Sequence, residues 1–104
     1  MVQDWLQKMH LGVVHFMLYP VIRDEGPIVE SFERLAMDEM LNVIEVRRSE
    51  QPGMHERLHA IAEASGVRLG VGAQPGLLIN KLSLNSPDET ARRAAIDEVK
   101  KSID

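Results

Sequence analysis

Residues 54–59 read Met-His-Glu-Arg-Leu-His, so His55, Glu56 and His59 stand in the order H-E-x-x-H. On a helix this spacing sets two imidazoles one turn apart, able to grip zinc while the glutamate activates a metal-bound water, which is the chemistry of a zinc hydrolase. Three features weigh against it. Arg57 follows Glu56 and would place a cation beside the metal, no convincing third ligand follows, and the apolar stripe of the segment falls on Met54, Leu58 and Ile61. His55 and His59 then sit at the margin of that stripe and read as partly exposed side chains of an outer helix, so no metal ligand is assigned.

His15 and Glu45 make a better pair. If the runs that contain them are neighbouring parallel strands, period-two alternation sets Val13, His15 and Met17 on one face of the first and Val43, Glu45 and Arg47 on one face of the second. Both polar residues approach the carboxyl ends of their strands, where barrel enzymes assemble their sites. A carboxylate beside an imidazole raises its pKa and fixes its tautomer, which suits proton transfer or the holding of hydroxyls. The plainer alternative is a buried polar pair whose members satisfy each other. Arg47 and Arg48 could meet a phosphate or form a solvated loop edge. Gln74, Asn80, Lys81 and Asn85 fall in a long segment on the substrate side, with turn chemistry and capping as the competing explanation. Residues 70–76, Gly-Val-Gly-Ala-Gln-Pro-Gly, lack the lysine and spacing of a phosphate loop.

The elements that must position these groups alternate. His10–Leu18 is an apolar run closed by Tyr-Pro and predicts a buried strand, preceded by a short helical lead-in around Trp5 and Leu6. Pro27 opens a helix whose apolar residues, Ile28, Phe32, Leu35, Ala36 and Met40, recur at three- and four-residue intervals. Residues 42–46 predict the second strand, residues 53–65 a helix capped by Gly66, and residues 67–71 the third strand. The segment 72–86 is long for a loop, and alternation at Leu82, Ser83 and Leu84 allows one more short strand. Ser86, Pro87 and Glu89 then have the spacing of a capping box, opening a helix with a buried stripe of Ile96, Val99 and Ile103.

The fold class expected is therefore α/β, one domain over residues 1–104 made of three β-α units with parallel strands. A closed barrel of eight such units takes roughly 250 residues, so this amounts to part of a TIM barrel. With 104 residues, 44% of them hydrophobic, one core is feasible and a second domain is not. A formal net charge of −4 makes nucleic acid and anionic membrane poor partners. No apolar run is long enough to span a bilayer, no secretory signal pattern opens the chain and cysteine is absent, so a reducing, cytoplasmic setting is the default expectation.

Residues 72–104 resemble the xylose isomerase-like TIM-barrel superfamily, the sugar phosphate isomerases and epimerases. The motif K-L-x-L-N-S-x-D-E followed by R, A and a closing I-D stands here as Lys81, Leu82, Leu84, Asn85, Ser86, Asp88, Glu89, Arg93, Ala94, Ile103 and Asp104. Residues 11–20 are similar to that family's first strand, and residues 26–46 to its first helix and its second strand with the strand-borne Glu45. The resemblance implies the amino-terminal three units of such a barrel, with sugar or sugar phosphate as ligand once the barrel is completed. It implies a divalent metal in a full-length member, bound mostly by later strands, and so no cofactor and no independent turnover for this chain. On this view His15 and Glu45 are the catalytic candidates, and Arg47, Gln74, Asn80 and Asn85 the substrate-binding ones. The partner is the remaining barrel segment, or a second copy if the chain is instead a self-associating α/β scaffold that covers its own sheet edges.

Overall fold

Asn42 ties the start of the sheet together. Its backbone N–H donates to Leu11 O at 2.8 Å, its Oδ1 accepts from Leu11 N at 3.1 Å, and its carbonyl accepts from Arg68 N at 2.7 Å. From this point run three parallel strands, β1 (Gly12–Val14), β2 (Val43–Arg47) and β3 (Arg68–Gly72), in the spatial order β1-β2-β3. The computed structural model describes residues 8–22 and 27–103. The protein is thus mixed α/β with a parallel sheet. The lead-in expected around Trp5 and Leu6, and Asp104 of the terminal motif, lie outside the described residues.

Helices follow each strand: α1 (His15–Leu18), α2 (Pro27–Ala36), α3 (Met54–Ser65), α4 (Gln74–Ile79) and α5 (Glu89–Ile103). The crossover helices α2 and α3 share one core with Ile44 and Val46 of β2, so both lie on the same face of the sheet. Phe32, Ile44, Val46 and Leu58 are fully buried there. Each such side chain contributes about 1.5–3 kcal/mol of burial. Val13, Leu69 and Val71 pack against this core from the neighbouring strands, and the register aligns Val13 with Ile44 and Ile44 with Leu69. Alternation then sends Gly12, Val14, Val43, Glu45, Arg47, Gly70 and Gly72 to the other face, where none is fully buried.

The helix α3 has the expected stripe, Met54, Leu58 and Ala62 being buried, and ends on Gly66 at φ 76°. That left-handed conformation is one a side chain at Cβ disfavours. Five other expectations need correction. The run His10–Leu18 is extended only over Gly12–Val14, after which His15 opens a helical turn. The turn stacks the His15 ring on Tyr19, with centroids 5.2 Å apart. Residues four apart meet on a helix but stand about 13 Å apart along a strand, and Met17, expected to share the inward face, is exposed. The first long helix stops at Ala36, where Asp38 Oδ1 accepts the N–H of Met40 at 2.9 Å and diverts the backbone into a turn. Met40 is left exposed.

Third, no strand forms at 82–84. Residues 74–79 are helical instead, with Pro75 in the first turn, and the helix closes by Lys81 N donating to Leu78 O and Leu82 N to Leu77 O. Lys81 occupies the left-handed position at φ 54°, which completes a Schellman closure. Fourth, Asp88 and not Ser86 caps α5: Asp88 Oδ2 accepts from Ala91 N at 3.3 Å, and Ser86 Oγ accepts from Asp88 N at 3.2 Å. A carboxylate at a helix start gains from the dipole as well as from the hydrogen bond, which a hydroxyl does not. Glu89 pairs with Arg92 and Arg93 rather than closing a box. The inward face of α5 is also rotated, with Ala95 and Glu98 buried, Ile96 and Val99 half-buried and Ile103 exposed.

Candidate functional site

The strands β2 and β3 end side by side, with Arg47 opposite Gly72 in the register. Beyond them opens a cleft of ≈ 160 Å³ whose walls include Arg47, Arg48, Gly72, Gly76, Asn80 and Glu98. It sits at the carboxyl ends of parallel strands, the general location of binding sites in α/β sheets. Glu45 and Arg47 lie two residues apart on β2 and project to the same face, away from Ile44 and Val46. A Cβ added at Gly72 would collide with Glu45 Oε1, and Gly70 stands opposite Glu45 in the register. Two glycines of β3 therefore leave the space that the Glu45 carboxylate occupies. Among the described residues Arg47 forms no ion pair, and its Nε–H is a buried donor without an acceptor.

Arg48, the next residue, is fully committed. Its Nη2 donates to Glu98 Oε1 at 2.8 Å and its Nη1 to Glu50. The hydrogen bond from Arg48 holds the Glu98 carboxyl below the usual glutamate range, and Glu98 in turn raises the arginine. Lys101 reaches the other oxygen of Glu98 at 3.4 Å. Gly76 of α4 makes this possible, since a Cβ there would meet Glu98 Oε1. The cleft is thus built from an arginine with no carboxylate partner beside an arginine held by two.

The predicted site residues divide. Arg47 and Asn80 line the cleft, with Asn80 Nδ2 donating to Gly76 O at 2.8 Å, and the Glu45 carboxylate lies beside it against Gly72. His15 lies on the helix side of the sheet instead. Its Nε2 is 2.6 Å from Ser31 Oγ, which itself donates to Ile28 O at 3.1 Å. Nδ1 of the ring is buried and unpartnered, and burial lowers the pKa of His15. Gln74, at the first position of α4, is exposed. Asn85 is exposed and accepts from Ser83 Oγ, and Lys81 serves the Schellman closure. In the H-E-x-x-H segment, His55 Nε2 accepts the N–H of Ser49 at 2.9 Å while Glu56 and His59 face solvent. That bond engages one of the two His55 nitrogens. No three His, Cys, Asp or Glu side chains among the described residues converge as a metal cage. Glu45 offers a single carboxylate, so the divalent metal implied by the resemblance does not fit on these residues alone.

Sequence reasoning missed Glu98, which reads as one more charge on a polar helix. Its one sequence signal, Lys101 three residues on, is common on exposed helices. No helix among the described residues is long and apolar enough to cross a membrane. Comparison with protein-family models, with curated proteins and with solved structures finds no match.

Proposed function

We propose that the chain supplies the first three strand-helix units of a sugar or sugar phosphate isomerase- or epimerase-like barrel, forming part of the substrate pocket without turning over by itself. The observation that supports this reading is the polar face of a sheet that winds one way. The strands follow in the order β1-β2-β3, both crossover helices cover the Ile44 and Val46 face, and the opposite face carries Glu45, Arg47 and glycines. One half of a doubly wound sheet winds the same way over three strands, and it is the polar face bearing Glu45 and Arg47, opposite the apolar core, that favours a barrel interior. A barrel winds one way and covers its inner face by closing on itself. Glu45 then faces the interior, where a carboxylate can accept hydrogen bonds from sugar hydroxyls and take a proton from carbon or oxygen. The test is titration of aldoses and ketoses into labelled protein. Saturable amide shifts at Gly70 and Gly72 that disappear in Glu45→Gln support the reading, and no saturable shift with any sugar overturns it.

A second reading is a self-associating scaffold. It is favoured by the apolar group Met17, Leu18 and Val21, all exposed beyond β1 at the sheet edge. Light scattering separates the two: a monomer at high protein concentration rules out the scaffold.

A further inference from the structure

We propose that His55 is a protonation-controlled latch on the loop 48–53, which joins β2 to α3: the neutral imidazole holds the loop against the helix and the imidazolium releases it. The latch is independent of what ligand the cleft takes. Its basis is a bond whose direction is fixed. His55 Nε2 lies 2.9 Å from the backbone nitrogen of Ser49, and because a backbone N–H can only donate, the ring must present a lone pair there. The proton of the neutral ring is then on Nδ1. Protonation adds an N–H at Nε2, so two donors point at one another and the attraction is lost. His15 differs, since its hydroxyl partner on Ser31 can accept as well as donate, whereas the partner of His55 cannot reverse.

The rest of the loop is arranged to respond. Its stem is tied at Arg48 to Glu50 and to Glu98 of α5, while Gln51 N donates to Ser49 Oγ at 3.1 Å and Met54 N to Gln51 O at 3.2 Å. The far end turns on Gly53 at φ 77°, a conformation that glycine enters at little cost. That glycine is the hinge. Arg48, Glu50 and Glu56 line the groove around His55 together with Lys101 of α5, β3 contributes apolar Val71, and His59 stands exposed one turn further along α3. Two cations face two carboxylates, so the change in the Ser49 bond, rather than an excess of one charge, carries the response. Glu50 also forms part of the wall of the cleft at the end of β2 and β3. Release of the loop therefore loosens that wall, which makes access to the cleft depend on pH.

The test is NMR of the nitrogen-labelled chain between about pH 8 and 5, the range in which imidazoles change charge. The ring nitrogens of His55 report its protonation, and backbone relaxation and hydrogen exchange of residues 49–51 report the loop. The loop is expected to gain motion in step with the His55 ring, with exchange of the Ser49 amide, corrected for pH, quickening by about tenfold while Leu58 and Ala62 of α3 stay protected. His55→Gln, whose Oε1 accepts at every pH, should keep the loop ordered down to the acid end of the range. His55→Ala, which accepts at none, should leave it mobile at the alkaline end. Dispersion of the Phe32 and Leu58 signals confirms that each variant folds. A Ser49 amide indifferent to the charge on the ring overturns the latch. Loosening that persists in His55→Gln with the same midpoint overturns it too, because the response then belongs to another group, such as His15 or Glu98.

Discussion

His15 is the residue whose role moved furthest. Buried completely, it shares a hydrogen bond through Nε2 with Ser31 and stacks on Tyr19, so it fastens the end of β1 to α2 rather than facing Glu45. Ser31→Ala strands that buried nitrogen and should cost about 1–3 kcal/mol, measured by denaturant unfolding. Burial sets the pH response as well. Because the folded-state pKa of His15 lies below its ordinary 6.5, the unfolded chain binds the proton more readily. The His15 contribution is whole above pH 6.5 and is lost as pH falls from there toward the depressed folded value. Thermal melts between pH 8 and 5 should show a decline that His15→Gln flattens.

At the level of elements, capping decides where helices begin and end, and it was legible only in part. Gly66 announces the end of α3 because glycine alone enters the left-handed region without cost. Lys81 announces nothing, yet it takes the same conformation at the end of α4. Lys81→Gly should therefore stabilise the protein by about 1 kcal/mol, seen as a raised Tm. Asp88→Ala should cost about 1 kcal/mol by removing the α5 cap, and Ser86→Ala less, since Ser86 meets only the N–H of Asp88. The Ser86-Pro87-x-Glu89 spacing satisfied the capping-box pattern, but Asp88 sits inside it and the stronger acceptor captured the helix. The strand expected over His10–Leu18 failed for a related reason. A short apolar run carries no periodic signal that separates strand from buried helix.

For the whole molecule, the ion pair between Arg48 and Glu98 joins the end of β2 to α5 across some fifty positions of sequence, and Gly76 of α4 leaves it room. Few apolar side chains of α5 are buried, Ala95 completely and Ile96 and Val99 partly, so the attachment of this helix leans on charge. Glu98→Ala should cost about 2 kcal/mol, with faster hydrogen exchange in α4 and α5 than in β2. The folded-state pKa of Glu98 is depressed below its ordinary 4.5 by Arg48, so its contribution is complete above that value and fades as pH falls through the folded one. Acid should release α5 in the wild type and change little in Glu98→Gln. Gly76→Ala should do much the same at neutral pH, because a methyl there meets the Glu98 carboxylate.

Alternation of elements, the apolar stripe of α3, the Gly66 cap and the place of Glu45 and Arg47 on one strand face follow from residue type and period, which act over a turn or a strand and need no partner. The sequence by itself therefore determined a parallel α/β chain with a polar strand face. Tertiary structure decided which polar groups share a space. It sent His15 to Ser31 behind the sheet, drew Glu98 inward to Arg48, and left Arg47 without a carboxylate beside an open cleft. Those pairings join residues far apart in the chain. Their energy depends on burial and on the register of β2 against β3, and neither is written in any local pattern.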